Sequence, residues 1–246
     1  MRPSTRQTVV IPCGMVLLAL ALAGCGPTVS PAVPKHIDLP APEPVHGTAV
    51  VILVDTSGSM REPVRDHDGK QRPKNEIARA ALEKIVQSTA DWKKTHADQV
   101  LQLGILEFSD LVQRVLPMEA FDQGKSAAAV KKIRKPEGGT AIGLALEDGF
   151  KALYETGCDR KFLLCITDGE NTAGPPPDMM AKQLFGQTNG QVEIHFIAFD
   201  TSAAQFQFLK YVNGHVVEAA DAAQLQAELA RIYEKRILAE MEEPAK

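Results

Sequence analysis

The chain has 246 residues and is 44% hydrophobic, which is enough for one sizeable core or two small ones. Its net charge of −4, with the two signs interspersed, argues against a nucleic-acid-binding protein, which would need a basic face. Only 5% of the residues are aromatic, so stacking on bases or sugars is not a recurring feature.

The N-terminus has the pattern of an export signal rather than of a folded element. Arg2 and Arg6 precede the apolar stretch VVIPCGMVLLALALA, which is too short for a comfortable membrane span. The sequence LAGC at 22–25 then resembles the bacterial lipoprotein signal, and this resemblance implies cleavage before Cys25 and lipid attachment to it. By the sorting rule of enterobacteria-like lipoproteins, which this segment resembles, Gly26 at the next position favours the outer membrane over the inner one. An ordinary secretory peptide or an uncleaved anchor is the alternative.

A proline-rich segment separates the signal from the rest of the chain. It carries six prolines and shows neither helical nor strand periodicity. Such a composition favours an extended, polyproline-like backbone and a semi-rigid spacer. We therefore expect a lipid-anchored protein of the bacterial cell envelope with a signal peptide at 1–24, a lipidated tether at 25–47, one domain at 48–238 and a tail at 239–246.

Strands and helices alternate from the start of the predicted domain. TAVVILVD is a continuous apolar run, typical of a strand buried on both faces of a parallel sheet. Apolar residues recur at helical spacing over 77–92. VLQLGILEFSD and LVQRVLP, joined by a very short turn, predict an antiparallel hairpin. Helices are predicted over 126–133 and over 142–153.

The second half of the chain continues this alternation. KFLLCITDGE is an apolar strand with an acidic turn, PPPDMMAKQLFGQ predicts a short helix, VEIHFIAFD a strand, AQFQFLKYV a short helix and HVVEA a last strand. Asp221 and Gln224 begin the final helix in the manner of a capping box. The order predicts an α/β fold: a doubly wound, mostly parallel sheet with one antiparallel edge hairpin and helices on both faces.

Oxygen-bearing side chains follow two of the predicted strands. Asp55, Ser57 and Ser59 stand at alternate positions after the first strand, and Asp168 follows FLLCI. Ligands of open parallel sheets bind beyond the carboxyl ends of the strands, where Thr140, placed before a helix, would also fall. Each piece alone has a simpler interpretation, because Asp, Ser and Thr are common helix caps and Asp-Gly is a turn signal.

Taken together, these pieces resemble the von Willebrand factor type A domain and its metal-ion-dependent adhesion site (MIDAS). The family pattern of Asp-x-Ser-x-Ser, then Thr, then Asp maps without departure onto Asp55, Ser57, Ser59, Thr140 and Asp168. The resemblance covers roughly residues 48–237. It implies metal ligands at these five positions, no catalytic residues, and a protein partner whose Asp or Glu carboxylate completes the metal shell. Glu170 matches no ligand position and is expected to face solvent.

The predicted ligands suit a small, hard cation. Mg²⁺, or Mn²⁺ in its place, prefers octahedral oxygen and keeps several waters. Hydroxyl ligands are neutral, so the charge of the ion stays only partly offset and an open coordination position attracts a carboxylate. We therefore expect Mg²⁺-dependent recognition of a protein, without nucleic acid and without catalytic turnover.

Two other functions stay open at this point. A Mg²⁺-dependent phosphatase of the haloacid dehalogenase type would use Asp55 as its nucleophile, but it needs a second carboxylate where this chain has Ser57. A structural or assembly subunit of an envelope complex, stabilised by the metal, is the other alternative.

The charged stretch at 61–74 is either a contact surface or a solvated loop, and its DHDG segment lacks the remaining ligand positions of a calcium-binding EF-hand.

Two cysteines and a histidine are interpreted as structural. Cys158 and Cys165 are predicted to stay unpaired even in an oxidising compartment. A strand rises about 3.3 Å per residue, whereas a disulfide needs Cα atoms within about 7 Å, so Cys158 would have to fold back along its own strand. His195 lies between Ile194 and Phe196 and is interpreted as a strand residue rather than a ligand.

Overall fold

The computed structural model describes residues 34–242, so the predicted signal peptide and Cys25 lie outside the described residues. The strands are β1 (Val45–Asp55), β2 (Pro63–Arg65), β3 (Gln71–Pro73), β4 (Leu101–Phe108), β5 (Val112–Ala120), β6 (Cys158–Thr167), β7 (Val192–Phe199) and β8 (Gly214–Ala219). The α-helices are α1 (Lys74–Thr95), α2 (Gln123–Lys132), α3 (Ile142–Tyr154), α4 (Pro177–Thr188), α5 (Ala222–Ile232) and α6 (Ala239–Glu242). There are 3₁₀ segments at Gly58–Arg61 and Ala203–Tyr211, and a π-helical segment, Tyr233–Leu238, joins α5 to α6.

Six strands form one sheet in the order β5-β4-β1-β6-β7-β8. Neighbouring strands pair in parallel except β4 and β5, which form the antiparallel edge hairpin. The doubly wound, mostly parallel sheet predicted from the alternation of elements is confirmed. The continuous apolar strands β1 and β6 lie in its middle, where both of their faces are covered.

Helices cover both faces of the sheet over two apolar layers. On one face, α1, α2 and α5 pack over residues such as Ile52 and Leu164. On the other face, α3 and α4 pack over residues such as Val51 and Leu163. Consecutive residues of a strand point to opposite faces, so one uninterrupted apolar run supplies both layers.

Part of the predicted tether is docked on the domain. β1 begins at Val45, three residues before the predicted start, and Ile37 is 2% exposed within the core. The side-chain oxygen of Gln187 accepts from the Ile37 N–H at 3.1 Å, and its amide donates to the Ile37 carbonyl at 2.9 Å. At Gly157, where φ is +69°, a Cβ would lie 2.2 Å from the Glu43 carbonyl oxygen, so this contact requires glycine. The docked segment therefore lies at the amino edge of the sheet.

The C-terminal helix runs further than predicted. Its helical backbone continues to Glu242, and Met241 is buried at 4% exposure, so the first residues of the predicted tail pack on the domain. The helix begins as predicted, because the Asp221 side chain accepts from the Gln224 N–H at 2.9 Å. The Gln224 side chain in turn accepts from the Ala220 N–H at 2.9 Å. Across residues 34–242, no helix combines the length and the apolar character needed to span a membrane.

The charged stretch at 61–74 contains a small antiparallel hairpin of β2 and β3. Asp66 closes its turn by accepting from the N–H groups of Asp68 at 2.9 Å and Lys70 at 2.8 Å. The DHDG segment is thus a turn whose carboxylate is engaged by backbone donors.

The cysteine and histidine side chains have structural surroundings. Cys158 and Cys165 both lie in β6, buried and free, so the prediction that they stay unpaired is confirmed. His195 lies in β7 with its Nε2 at 2.8 Å from a carboxylate oxygen of Glu193, two residues away. This agrees with its interpretation as a strand residue.

Candidate metal centre

Asp55 and Thr167 end the two central strands side by side. The register pairs Val54 with Ile166, one position earlier in each strand. The Thr167 hydroxyl donates to Asp55 Oδ2 at 2.6 Å, and the Ser57 N–H donates to Asp55 Oδ1 at 2.7 Å. Asp55 is 0% exposed, so its carboxylate is held in one orientation within the protein.

Burial dominates the electrostatics of Asp55. Removal from water raises the pKa of this carboxyl from 3.8 to about 6, although hydrogen bonds from Ser57 and Thr167 act to lower it. The charge of Asp168 raises the pKa further. Within residues 34–242, no Lys or Arg side chain pairs with Asp55. The carboxylate at the centre of this edge therefore has no positive partner, and a bound cation would supply one.

A line of hydroxyls connects Ser57 to Asp168. The Oγ atoms of Ser57 and Ser59 lie 3.1 Å apart, and the Ser59 hydroxyl donates to Asp168 Oδ1 at 2.7 Å. Thr140 faces the same place, because a Cβ on Gly169 would lie 3.8 Å from Ser59 Oγ and 3.9 Å from Thr140 Oγ1. The structure thus brings all five predicted side chains to one edge of the sheet.

Neither Ser57 nor Thr140 acts as a helix cap. Ser57 precedes a 3₁₀ turn, but its side chain makes no capping hydrogen bond. Helix α3 is preceded by Ala141, which leaves Thr140 one position too early to cap it. Asp122 and Asp221, in contrast, accept from first-turn N–H groups of α2 and α5. The simpler interpretation of these two hydroxyls is therefore wrong, and both are available as ligands.

Distant residues brace the loop that carries Thr140. Asp110, in the turn between β4 and β5, accepts from the Gly139 N–H at 2.9 Å, and the Thr172 hydroxyl oxygen accepts from the Thr140 N–H at 2.8 Å. Gly138 has φ +77°, and a Cβ there would lie 2.2 Å from Asp110 Oδ2. Neither Asp110 nor Thr172 is predicted from the sequence, because no local spacing marks a residue that braces another loop.

Lys74 is a further member of this site that the sequence pattern does not predict. It is 3% exposed, and its Nζ lies 3.0 Å from Asp168 Oδ2, 3.0 Å from Asp200 Oδ2 and 3.4 Å from Glu62 Oε2. Burial acts to lower the pKa of Lys74, but hydrogen bonds and charges of Asp168 and Asp200 outweigh it and raise that pKa. In the sequence, Lys74 is one more charge in a charged loop, so only the fold reveals its partners.

The donors that converge here are all oxygens. They comprise two carboxylates and three hydroxyls, a set that fits the oxygen shell preferred by Mg²⁺ or Mn²⁺. In the part of the chain that the structure describes, no group of three or more His, Cys, Asp or Glu side chains is arranged to hold a metal ion. The candidate centre therefore depends on its hydroxyls. Glu170 is exposed, as predicted.

A family comparison agrees with the fold and with the arrangement of these loops. The family model of the von Willebrand factor type A domain matches residues 50–170. The chain contains a von Willebrand factor type A domain. Among the curated proteins, none matches the chain. The matched region carries all five candidate residues of this von Willebrand factor type A domain, at the end of β1 and just after it, before α3 and after β6.

Solved structures share the fold of this von Willebrand factor type A domain at low sequence identity. The PilB minor pilin from Streptococcus sanguinis is 15% identical, with a TM-score of 0.63 over 78% of this chain and 62% of the pilin. BatB from Bacteroides thetaiotaomicron is 17% identical, with a TM-score of 0.60 over 79% of this chain and 98% of BatB. The chain thus spans about three fifths of the length of the pilin and nearly all of BatB.

A third relative in fold was solved with a metal. Proximal thread matrix protein 1 from the mussel byssus, described with a zinc-occupied MIDAS motif, is 16% identical, with a TM-score of 0.57. The alignment covers 80% of this chain and 46% of the mussel protein. At these identities the likeness establishes the fold of this von Willebrand factor type A domain and nothing further.

Proposed function

We propose that this von Willebrand factor type A domain binds a divalent cation, Mg²⁺ or Mn²⁺, and uses it to recognise a carboxylate on a protein partner. The ligands would be Asp55, Ser57, Ser59, Thr140 and Asp168. The observation that carries the proposal is their convergence at one edge, with two hydroxyls free of capping roles and a buried carboxylate that has no positive partner among the described residues.

The residues of the chain prepare this site in complementary ways. Thr167 and the backbone of Ser57 hold both oxygens of Asp55, which fixes its direction. Burial keeps water from competing for the oxygens. Three of the five ligands are neutral hydroxyls, so this shell offsets the charge of a bound cation less than a shell of carboxylates would, and an open coordination position would attract an Asp or Glu of the partner.

Binding rather than catalysis is the function we favour. Von Willebrand factor type A domains generally act in adhesion and assembly. A phosphatase would need a second acid two residues after Asp55, and that position holds Ser57, a poor proton donor at neutral pH. The choice between adhesion to an outside ligand and assembly with a neighbouring envelope protein depends on the partner, which pull-down from cross-linked membranes with and without EDTA would identify.

Calorimetric titration of Mn²⁺ and Mg²⁺ tests the metal site. Wild type should bind one equivalent, and Asp55→Ala should bind none while remaining folded by circular dichroism. Glu170→Gln is the matched control, since it removes an exposed acid two residues from Asp168 and should bind like wild type. Mn²⁺ should also raise the melting temperature of wild type by an amount that grows with its concentration.

Two results would contradict the proposal. Equal Mn²⁺ binding by wild type and Asp55→Ala would mean that the metal sits elsewhere or that binding is nonspecific. Phosphatase activity that disappears in Asp55→Ala would replace the recognition role by the enzymatic alternative.

We also propose that Cys25 carries lipid and attaches the protein to the bacterial envelope, with the outer membrane favoured. Support comes from the LAGC sequence, which lies outside the described residues. The described chain enters the domain at its amino edge, where Ile37 contacts the C-terminal part of α4, whereas the candidate metal centre lies at the carboxyl edge. An anchored domain would therefore present the metal centre away from the membrane.

Replacement of the cysteine tests the anchor. Cys25→Ser should leave the carbonate-washed membrane fraction or accumulate as a precursor of altered mobility. Cys13→Ser, which changes the other cysteine of the N-terminal segment, should stay with the membrane like wild type. Retention of Cys25→Ser at unchanged mobility would show that another element holds the protein there.

A further inference from the structure

Lys74 stands in a place that local physics disfavours for a lysine. It is the first residue of α1, a helix of 22 residues, and a positive charge at a helix N-terminus is opposed by the helix dipole. It is also only 3% exposed, and burying an ammonium group has a large desolvation cost. Natural sequences break such rules mostly at functional sites.

The carboxylates that surround Lys74 come from two neighbouring strands and a loop. Asp168 follows β6, Asp200 follows β7, and Glu62 precedes the small hairpin. Asp200 has φ +54°, a left-handed conformation that few residues other than glycine adopt, and its N–H donates to the Ala219 carbonyl at 2.7 Å. This uncommon backbone brings the Asp200 carboxylate to Lys74.

Lys74 and Ser59 bind different oxygens of the Asp168 carboxylate. Oδ2 is bound by Lys74 at 3.0 Å, and Oδ1 is bound by Ser59 at 2.7 Å on the side of the candidate metal ligands. The Asp168 side chain is 0% exposed, so these two contacts hold it within the protein. One oxygen alone faces the other ligands.

We infer that Lys74 is a positioning residue that holds Asp168 by one carboxylate oxygen and partly neutralises the charge of that carboxylate. A cation bound at Asp168 then keeps more of its own positive charge for the partner's carboxylate. This inference rests on the proposed function. By the same reasoning Lys74 weakens metal binding, because only the Asp168 carboxylate separates its full positive charge from the bound cation. Asp200 opposes that effect, since it partly neutralises Lys74 without contacting the ligands.

Two substitutions of opposite charge effect test the inference, with Mn²⁺ alone as the probe in calorimetry at about 0.15 M salt. Lys74→Met removes a positive charge and should lower the Mn²⁺ dissociation constant at least tenfold. Asp200→Asn removes a negative charge and should raise it severalfold, and Asn tolerates the left-handed backbone. Lys74→Arg keeps the charge and should stay within threefold of wild type.

Lys161 provides the matched control for removing a buried lysine. It is 9% exposed, its Nζ donates to the Cys158 carbonyl, and it lies on the same strand as the residues preceding Asp168. Seven residues of strand put it roughly 23 Å from Asp168 at about 3.3 Å per residue, well beyond the screening length of about 8 Å at this salt. Lys161→Met should therefore bind Mn²⁺ like wild type.

The outcomes separate this inference from the proposed function. If wild type does not bind Mn²⁺, the proposed metal site is wrong. If wild type binds Mn²⁺ but Lys74→Met binds it equally or more weakly, or Asp200→Asn binds it no more weakly, the role given to Lys74 is wrong. Should Lys74→Met not fold, the Asp200→Asn result alone decides, because a purely structural Asp200 would not change Mn²⁺ affinity.

Discussion

The two edges of the central sheet are built from different interactions. At the carboxyl edge, buried oxygens and a buried lysine meet: Asp55 accepts from Thr167, and Asp168 lies between Ser59 and Lys74. At the amino edge, the docked segment before β1 closes the fold with the apolar side chain of Ile37 and with backbone contacts. The carboxyl edge keeps polar groups that cost stability, which is the usual sign of function, whereas the amino edge is made for stability.

Two buried lysines repeat this contrast at the two ends of β6. Lys74 meets carboxylates at the carboxyl edge, and they raise its pKa although burial acts against them. Lys161 lies at the amino end, over the Tyr154 ring at 4.8 Å from its centroid, and burial lowers its pKa. The same residue type thus belongs to a charged network at one edge and fills a packing position at the other.

The largest expected effect at the amino edge is on stability alone. Ile37→Ala should lower the free energy of unfolding by about 2–5 kcal/mol, the usual range for a buried Ile-to-Ala change. Urea denaturation measures this loss, and Mn²⁺ titration should show unchanged affinity. Leu39→Ala, at a partly buried position of the same segment, should lose less. A loss no larger than that of Leu39→Ala would mean that the segment is not docked in solution.

A low pH should remove the stabilisation that ionised Glu193 provides at the amino half of β7. Burial acts to raise the pKa of Glu193, but hydrogen bonds from His195 and Arg236 lower it from 4.5 to about 2. Because the folded pKa lies below the unfolded value, the stabilisation is complete above pH 4.5 and is lost as the pH falls towards 2. Wild type should lose on the order of 3 kcal/mol more than Glu193→Gln between pH 5 and pH 2. Parallel urea midpoints for the two proteins across that range would contradict this.

The smallest effect separates caps from candidate ligands at the carboxyl edge. Asp221→Ala removes the cap of α5 and should lower the free energy of unfolding by about 1 kcal/mol, with Mn²⁺ affinity unchanged. Ser57→Ala should lower Mn²⁺ affinity without the loss of a helix cap, because its side chain caps no helix and its hydroxyl contacts are with other candidate ligands, Asp55 and Ser59. If Ser57→Ala instead destabilises the protein as Asp221→Ala does, Ser57 has a structural role.

Local sequence patterns were sufficient to predict most of the elements of the fold. Continuous apolar runs indicated β1 and β6, helical spacing indicated α1 and α3, and a very short turn between two apolar runs indicated the antiparallel hairpin. The boundaries were less accurate. β1 and β6 each begin three residues earlier than predicted, because strand pairing at Val45 and Cys158 continues beyond the apolar run.

The amino-acid sequence by itself determined the type and order of the elements, since these follow from spacing along a strand or helix, and its resemblance to the von Willebrand factor type A family indicated the five candidate ligands. Only the tertiary structure decided that Ile37 docks, that Asp110 and Thr172 brace the loop of Thr140, and that Lys74 joins Asp168 to Asp200. These contacts join residues far apart in the chain, and their energies come from burial and charge. Burial and the distances between charges cannot be read from the sequence pattern, because both arise only when the sheet brings the loops together.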